Sequence, residues 1–439
     1  MQIKDIEQAA QRLSDIVHNT PTMLSRTFSE LGGANVYFKY ENQQRTGSFK
    51  VRGASNKVAK LLETQERAPE TSQQSGCFGI EEQPPARRSF SDDLCPETSN
   101  EGELRRVVAA SAGNHAQGLA YAASRLGLDC TIVMPRSTPI AKIAATEGYG
   151  AKVVLSGSNY DAAYNKALEI QETGGAVFIH PFDDLDVIAG QATVAMEILQ
   201  DLPDAEAIVV PAGGGGLLAG VAYYVKTLRP DIKVIGVQAS GAPAIKKSFD
   251  AKKLVSTDDV YTIADGIAVK SPGKLTVEMI NKYVDEIVTV EDDEISSAIL
   301  LLLERGKQVV EPAGAVSLAA VLNRKVDLAG KKVVCVLSGG NIDVSFIHKI
   351  VEKGLVTRGR QMRFRAIMLD VPGSLEQLSS IIAKNGANVI MVQYDKISAD
   401  LNLNETIIHV GCEVSGHAHG DKLIAALEQE GYRVTREDA

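Results

Sequence analysis

The feature that most constrains this chain is an alternation, from about residue 106 to 345, between short runs rich in Val and Ile and longer stretches with helical periodicity. The apolar runs are nearly continuous, which is typical of strands that are buried on both faces in a parallel sheet covered by helices. We therefore predict an α/β fold for this region. The strands are expected at "RVVAAS", "CTIVMP", "AKVVLSG", "AIVVPA", "KVIGVQ" and "KKVVCVLSGG".

Two regions depart from this alternation. Residues 66–104 contain four prolines and many Ser, Glu and Gln residues. Their apolar residues follow neither the two-residue period of a strand nor the 3.6-residue period of a helix. Such a composition predicts a disordered insertion. Residues 361–436 begin a new β-α-β-β-α-β pattern, which predicts a separate ferredoxin-like domain. Residues 350–360 are predicted to be the linker between this domain and the rest of the chain.

A glycine-rich segment follows the predicted strand "AIVVPA": Gly213–Gly216 are consecutive, and an apolar helix begins near Leu217. Glycines allow a ligand to approach the backbone, and the free N–H groups at the start of a helix favour an anion. The segment predicts a phosphate site; the alternative is a tight turn between strand and helix. The third glycine of a dinucleotide-binding G-x-G-x-x-G is replaced by Leu218 or Ala219, and the next strand ends in Gln238. A simple phosphate ester is therefore the predicted ligand.

Polar side chains follow two other predicted strands. In "SAGNH", Ser111 and Asn114 precede a helix and predict a site for a carboxylate, with an ordinary helix N-cap as the alternative. A histidine at such a position, here His115, is more often structural than catalytic. In "VLSGGN", Ser338 lies at the edge of the sheet where ligands bind in open α/β folds. Upstream, "RTGSFKVRG" presents Lys50 at the start of a helix as a candidate nucleophile.

Composition narrows the classes of function. The net charge is −9, and no dense run of Lys and Arg predicts nucleic-acid binding. No apolar run approaches the ~20 residues that span a bilayer, and the N-terminal amphipathic segment lacks the apolar core of a signal peptide. The five cysteines have no metal-site spacing, so we expect reduced thiols and a cytoplasmic protein.

Together and in this order, these segments resemble the fold-type-II pyridoxal-phosphate enzymes, whose fold is tryptophan synthase β-like, and most closely the threonine ammonia-lyases. The resemblance covers nearly the whole chain. Its segments are "HNTPTMLS", "YENQQRTGSFKVRGA", "SAGNHAQGLAYAA", "HPFDDLDVIAGQAT", "PAGGGGLLAGVA", "ADGIAVK", "EPAGAVSLAA" and "LSGGN". The C-terminal unit, with "LDVPGSL" and "NGANVIMV", is similar to an ACT regulatory domain.

The resemblance implies a two-lobed catalytic region over residues 1–350, with the small lobe at about 51–155, and an ACT-like domain over residues 361–439. It also implies that Lys50 binds pyridoxal 5'-phosphate covalently and, once freed, removes the α-proton of the substrate. Threonine would give 2-oxobutanoate and ammonia, and serine would give pyruvate. The other implied contacts are Phe49 on the cofactor ring, Ser111 and Asn114 on the substrate carboxylate, Asn114 also near the cofactor's phenolic oxygen, Gly213, Gly214, Gly215, Gly216 and Leu217 on the phosphate, and Ser338 on the pyridine nitrogen.

Three departures from the related enzymes carry information. The family has only a short link where this chain has residues 66–104. Ala112 replaces the serine that serves serine racemase as a second acid and base, so racemisation is expected to be weak. Gln238 and Ala244 replace carboxylates that hold a metal in that relative, so we predict no divalent-cation site.

Several alternatives remain open on the sequence alone. Within the fold they are serine dehydratase, serine racemase and β-replacement enzymes; outside catalysis, the alternative is an amino-acid sensor. The ACT-like domain predicts a homodimer or homotetramer that is inhibited by a branched-chain amino acid such as isoleucine, as in isoleucine biosynthesis. Asp370, the helix after Pro372 and Asn388 are the candidate effector site. The alternative is that the domain only dimerises.

Overall fold

A computed structural model describes residues 1–66, 106–396 and 402–437. Apart from Glu66, which ends a helix, the predicted insertion at 66–104 lies outside the described residues. The chain forms two compact units. The first comprises Met1–Ala298 and Arg305–Asn341, and the second comprises Ile299–Glu304 and Ile342–Ala439.

The described residues contain strands of two to nine residues. In chain order they are β1 Thr22–Leu24, β2 Asn35–Lys39, β3 Arg106–Ala110, β4 Asp129–Met134, β5 Lys152–Leu155, β6 Val177–Phe178, β7 Ala207–Pro211, β8 Lys233–Ala239, β9 Glu286–Val290, β10 Lys332–Val336, β11 Gln361–Leu369, β12 Asn388–Asp395, β13 Glu405–Glu413 and β14 Arg433–Arg436.

The α-helices of the described residues occur in both units. They are α1 Ile3–Leu13, α2 Arg26–Gly32, α3 Lys50–Glu66, α4 Asn114–Arg125, α5 Ile140–Glu147, α6 Tyr160–Gly174, α7 Leu185–Asp201, α8 Gly216–Leu228, α9 Ala244–Ala251, α10 Lys274–Tyr283, α11 Asp292–Leu301, α12 Pro312–Leu322, α13 Val344–Thr357, α14 Ser374–Lys384 and α15 His417–Gln429. Short 3₁₀ turns occur at Glu41–Gln43 and Asp265–Ile267, and a π turn at Leu302–Gly306 follows α11.

The first unit contains two sheets. The larger has the strand order β1-β2-β10-β7-β8-β9 and is parallel except where β1 pairs with β2. The smaller, β5-β4-β3-β6, is parallel throughout. All six predicted strands are present in these sheets, which confirms the α/β prediction.

Strands β1, β2, β6 and β9 are not among the strands predicted from the sequence. Strand β6 has only two residues, too few to show a period, yet it pairs with β3 and extends the smaller sheet past residue 155, where we expected the small lobe to end. Strand β7 is buried along its whole length, and α8, which follows it, is apolar and largely buried. The glycine-rich segment therefore joins two rigid, buried elements.

The second unit contains a four-stranded antiparallel sheet of order β12-β13-β11-β14. Alternate residues of β11, such as Met362 and Phe364, pack with Leu378 of α14 and Leu423 of α15 in one apolar core. This arrangement confirms the predicted β-α-β-β-α-β unit. The predicted linker at 350–360 is helical over most of its length, because α13 continues through Thr357.

The apolar residues of α13 follow a helical period in the sequence. Phe346 and Ile347 lie four and three positions before Ile350, which is buried. None of the helices in the described part of the chain is both long enough and apolar enough to cross a membrane.

Candidate active site

Lys50 is the first residue of α3, and its side chain reaches the segment that follows β6. Its Nζ donates a 2.9 Å hydrogen bond to the carbonyl of Pro181 and lies 5.3 Å from the centroid of the Phe49 ring. Burial lowers the pKa of Lys50 to about 8, while the negative charge of Glu311 acts in the opposite direction. A larger fraction of this amine is neutral near pH 8 than of an exposed lysine, as a nucleophile or base requires.

A buried ionic network fixes the start of α3. Arg52, two residues after Lys50, is fully buried and donates to both oxygens of Glu41, at 2.8 Å each, and to both oxygens of Glu197, at 2.6 and 2.8 Å. Burial alone would raise the pKa of Glu41, but the charge and hydrogen bonds of Arg52 lower it below its ordinary value. Because a buried guanidinium without its partners is costly, this network holds the backbone of α3 in one place.

The glycine-rich segment connects β7 to α8. The backbone N–H groups of Gly213–Gly216 donate no hydrogen bond to any residue that the structure describes. A Cβ at Gly214 would lie 2.3 Å from the ring of Phe182, so only glycine fits there. Gly215 has φ +97° and forms the N-cap of α8. The loop therefore offers unpaired donors at a helix N-terminus, the arrangement that binds a phosphate.

Asn114 is the first residue of α4, and its amide has partners on both sides. Its Nδ2 donates to Glu311 Oε1 at 2.7 Å, and its Oδ1 accepts from Asn341 Nδ2 at 2.8 Å. The N-cap of α4 is Gly113, without a side-chain cap. Asn114 is therefore not the cap of this helix, and both atoms of its amide bond to side chains from other segments.

Glu311 precedes α12 and is buried, with 4 % of its surface exposed. Burial raises the pKa of Glu311 to about 7; the hydrogen bond from Asn114 acts in the opposite direction, and the nearby charge of Asp265 adds to the rise. This carboxyl group therefore exchanges its proton near neutral pH.

The remaining predicted residues lie at the ends of strands or in the core. Ser338 follows β10, is 2 % exposed, and its carbonyl accepts a 3.1 Å hydrogen bond from the N–H of Phe49. Ser111 follows β3, and its hydroxyl accepts a 3.3 Å hydrogen bond from the N–H of Gly113. Leu217 is buried in the second position of α8. The roles of these residues toward a ligand stay predictions.

His115 is structural in this fold. Its Nε2 lies 3.0 Å from the carbonyl of Ile179, and burial lowers the pKa of His115 to about 3, with the positive charge of Lys50 adding to the effect. The ring is therefore neutral at physiological pH.

Gln238 and Ala244, which replace the metal-binding carboxylates of serine racemase, belong to the packing around α9. Gln238 is buried, and its Oε1 accepts a 2.8 Å hydrogen bond from the N–H of Lys246 in α9. Ala244 is the first residue of that helix. Among the described residues there is no group of three or more His, Cys, Asp and Glu side chains that could hold a metal ion.

Sequence reasoning missed three groups of this site. Glu311 lies in "EPAGAVSLAA" and Asn341 lies in "LSGGN". Both segments belong to the family resemblance, but the resemblance gave neither side chain a role. A carboxylate directly before the proline that opens an apolar helix was the available signal. The carbonyl of Pro181 has no signal in the sequence, because any residue supplies one.

Comparison with known proteins decides which family this site belongs to. The family model described as pyridoxal-phosphate dependent enzyme matches residues 13–80 and 87–339. The chain belongs to this family. It is 44% identical to an L-threonine ammonia-lyase of Thermotoga maritima, over 98% of both chains.

Two solved structures share the fold. Threonine deaminase isoform 2 of Solanum lycopersicum is 34% identical, with a TM-score of 0.67 over 80% of this chain and 89% of that chain. Maize serine racemase is 31% identical, with a TM-score of 0.68 over 81% of this chain and 98% of that chain. The fold-type-II prediction is confirmed.

The residues of the site fit pyridoxal phosphate. The unpaired N–H groups of Gly213–Gly216 can donate to its phosphate. Glycine is required at position 214, because a Cβ there would clash with the ring of Phe182. The Lys50 amine, with its lowered pKa, is suited to hold an aldehyde. The Pro181 carbonyl that holds this amine is adjacent in sequence to Phe182, so the amine and the loop are close neighbours.

Proposed function

We propose that this chain is a pyridoxal-phosphate-dependent threonine ammonia-lyase that converts L-threonine to 2-oxobutanoate and ammonia, and L-serine more slowly to pyruvate. The observation that carries the proposal is the buried Lys50 amine, held by Pro181 beside the unpaired glycine loop. The printed name of the Thermotoga maritima relative supports the choice of substrate.

The chain's own residues divide the work of this elimination. When bound, pyridoxal phosphate supplies an electron-withdrawing ring that makes the α-proton of an amino acid acidic. Lys50, whose pKa is lowered to about 8 by burial, takes this proton in its neutral form. The glycine loop holds the phosphate through backbone donors, so that no cationic side chain competes with Lys50 for position.

The segment at the start of α4 orients the substrate. Ser111 and Asn114 bind the carboxylate of the amino acid, and the start of α4 adds its helix dipole. Ser338 offers the pyridine nitrogen a neutral hydroxyl rather than a carboxylate. A neutral partner stabilises negative charge at the α-carbon less, which favours rapid loss of the β-hydroxyl over other outcomes.

Serine racemisation is the alternative that the maize structure raises. Racemisation needs an acid on the face opposite Lys50, and Ala112 provides no hydroxyl there. We therefore propose elimination as the main reaction.

Regulation and assembly form a second part of the proposal. We infer that the β11–β14 unit is an ACT-like domain through which a cytoplasmic homo-oligomer responds to a branched-chain amino acid. The segment "LDVPGSL" lies between β11 and α14, and Gly373, at φ +94°, is the N-cap of that helix. Asp370 pairs with the Nζ of Lys396 at 2.8 Å, so an effector ammonium would have to replace Lys396.

The experiment that tests the function compares keto-acid release from L-threonine and L-serine by the pyridoxal-phosphate-loaded protein, with chiral chromatography of the serine reaction. We expect 2-oxobutanoate from threonine, less pyruvate from serine, and D-serine only in traces. Faster keto-acid release from serine would favour a serine dehydratase, and D-serine as the main product would favour a racemase. Bound cofactor with no keto acid from either substrate would favour the sensor.

A further inference from the structure

The amide of Asn114 is held between two groups that sequence reasoning did not assign, Glu311 on one side and Asn341 on the other. We propose that Glu311 and Asn341 are positioning residues that fix the Asn114 amide in one orientation, so that its second N–H is kept for the cofactor. The inference rests on the proposed function, for which the family resemblance places Asn114 near the cofactor's phenolic oxygen.

Each end of this chain of hydrogen bonds allows one direction only. Asn341 Nδ2 also donates a 2.8 Å hydrogen bond to the carbonyl of Thr46, and a carbonyl cannot donate in return. The Nδ2 of Asn341 therefore also donates to Asn114, and Asn114 must accept this hydrogen bond with its Oδ1. At the other end, an ionised Glu311 can only accept, so Asn114 must present its nitrogen there.

Protonation of Glu311 does not by itself reverse the amide. If Glu311 donated a proton to the oxygen of Asn114, the nitrogen of Asn114 would face the nitrogen of Asn341. Asn341 cannot turn to relieve this without giving up the Thr46 carbonyl. The two positioning residues therefore act together, and one N–H of Asn114 stays without a partner among the described residues.

Two glycines allow these side chains to approach. A Cβ at Gly47 would lie 2.2 Å from Asn341 Oδ1, and a Cβ at Gly339 would lie 2.5 Å from Glu311 Oε1. Gly47 has φ +72°, a conformation that few other residues adopt. The glycine before Lys50 in "RTGSFK" thus serves the positioning of Asn114 as well as the turn into α3.

The test measures the affinity of cofactor-free protein for pyridoxal phosphate by absorbance titration, which does not depend on turnover. The variants are Asn341→Ala, Glu311→Ala, Glu311→Gln, Asn114→Ala and the double variant Asn114→Ala/Asn341→Ala. The control is Ser317→Ala on α12, the helix that Glu311 precedes, and it removes a buried hydrogen bond to the Val336 carbonyl. Thermal unfolding of each cofactor-free variant separates loss of fold from loss of affinity.

We expect Asn341→Ala and Glu311→Ala each to weaken the affinity about 10-fold or more, as the release of an oriented buried amide allows. Glu311→Gln keeps an acceptor oxygen, so its affinity should stay within about threefold of the unmodified protein. Because Asn341 acts through Asn114, the double variant should bind as weakly as Asn114→Ala alone.

Two outcomes would overturn the proposal. One is an Asn341→Ala protein that binds the cofactor like the Ser317→Ala control; the other is a double variant whose losses multiply, which would show that Asn341 acts independently of Asn114. Failure of the proposed function is a separate result, because it would appear as absent keto acid in the unmodified protein with its cofactor affinity intact.

Discussion

Lys50 Nζ donates a 2.9 Å hydrogen bond to the carbonyl of Pro181, whose neighbour Phe182 packs where a side chain at Gly214 would lie. The amine and the glycine loop are thus placed by the same short segment after β6. A change in the loop should therefore disturb cofactor binding without disturbing the rest of the fold.

Gly214→Ala should abolish tight binding of pyridoxal phosphate. The new Cβ would lie 2.3 Å from the Phe182 ring, and the loop must move to relieve the contact. The matched control is Gly174→Ala at the end of α6, where the new Cβ meets only Ile170 at 3.9 Å. Absorbance titration of both cofactor-free proteins checks the prediction, and equal affinities would argue against the loop as the phosphate site.

The pKa of Lys50 predicts how fast the cofactor-free protein captures pyridoxal phosphate at different pH values. Only the neutral amine attacks an aldehyde, and burial lowers the pKa of Lys50 to about 8, so the rate should rise with pH through about 8. An exposed lysine would give a rise near pH ~10.4. Stopped-flow absorbance provides the measurement.

The variant Glu311→Gln tests whether the pKa of Lys50 controls the capture rate. The negative charge of Glu311 opposes the fall in the pKa of Lys50, so Glu311→Gln should move the rise in capture rate to lower pH. A rise near pH 10 in both proteins would show that the amine is solvated rather than buried.

Glu311 should make the cofactor-free protein less stable as pH increases. Burial raises the pKa of Glu311 from 4.5 to about 7, so the folded state binds more protons than the unfolded state between these values. The free energy of unfolding should therefore fall across this window, by an amount on the order of 3 kcal/mol at most. Urea unfolding at pH 4.5, 6 and 7.5 measures the slope.

Glu311→Gln should remove this part of the pH dependence, whereas a change at the exposed Glu169, which pairs with Lys166 on α6, should leave it in place. An unchanged slope in Glu311→Gln would mean that Glu311 does not titrate in this range in the folded protein.

Isoleucine should inhibit threonine turnover through the second unit, with a coupling of ~1–3 kcal/mol. Asp370→Asn should weaken the inhibition, because Asp370 is the candidate site for the effector's ammonium. Asp421→Asn is the control, since it changes a comparable exposed ion pair, with Arg436, elsewhere in the same unit. Threonine saturation curves with and without isoleucine measure the inhibition. Identical curves would mean that the second unit serves assembly and not regulation by isoleucine.

The sequence predicted the fold well where apolar runs were long. Strands such as β7 and β8 are buried and continuous, so their pattern is clear, whereas β6 has two residues and no pattern to read. The helix over most of the predicted linker is harder to predict, because α13 has an exposed face and buries only Ile350.

The site was only partly predictable for a different reason. Glycines and a helix-start lysine mark a loop and a nucleophile by their position in the chain, so Lys50 and Gly213–Gly216 could be proposed from sequence alone. The partners of Asn114 come from segments about 200 residues away, and their direction of hydrogen bonding depends on Thr46. Such relations follow from packing, which no local pattern encodes.

The central claim is that Lys50 is the lysine that holds the cofactor. Borohydride reduction of the pyridoxal-phosphate-loaded protein, followed by peptide mapping, tests it directly, with Lys57 on the same helix as an internal comparison. We predict that the reduced adduct is found on the peptide containing Lys50 and is lost in Lys50→Ala. An adduct on any other lysine, or one that persists in Lys50→Ala, would contradict the account.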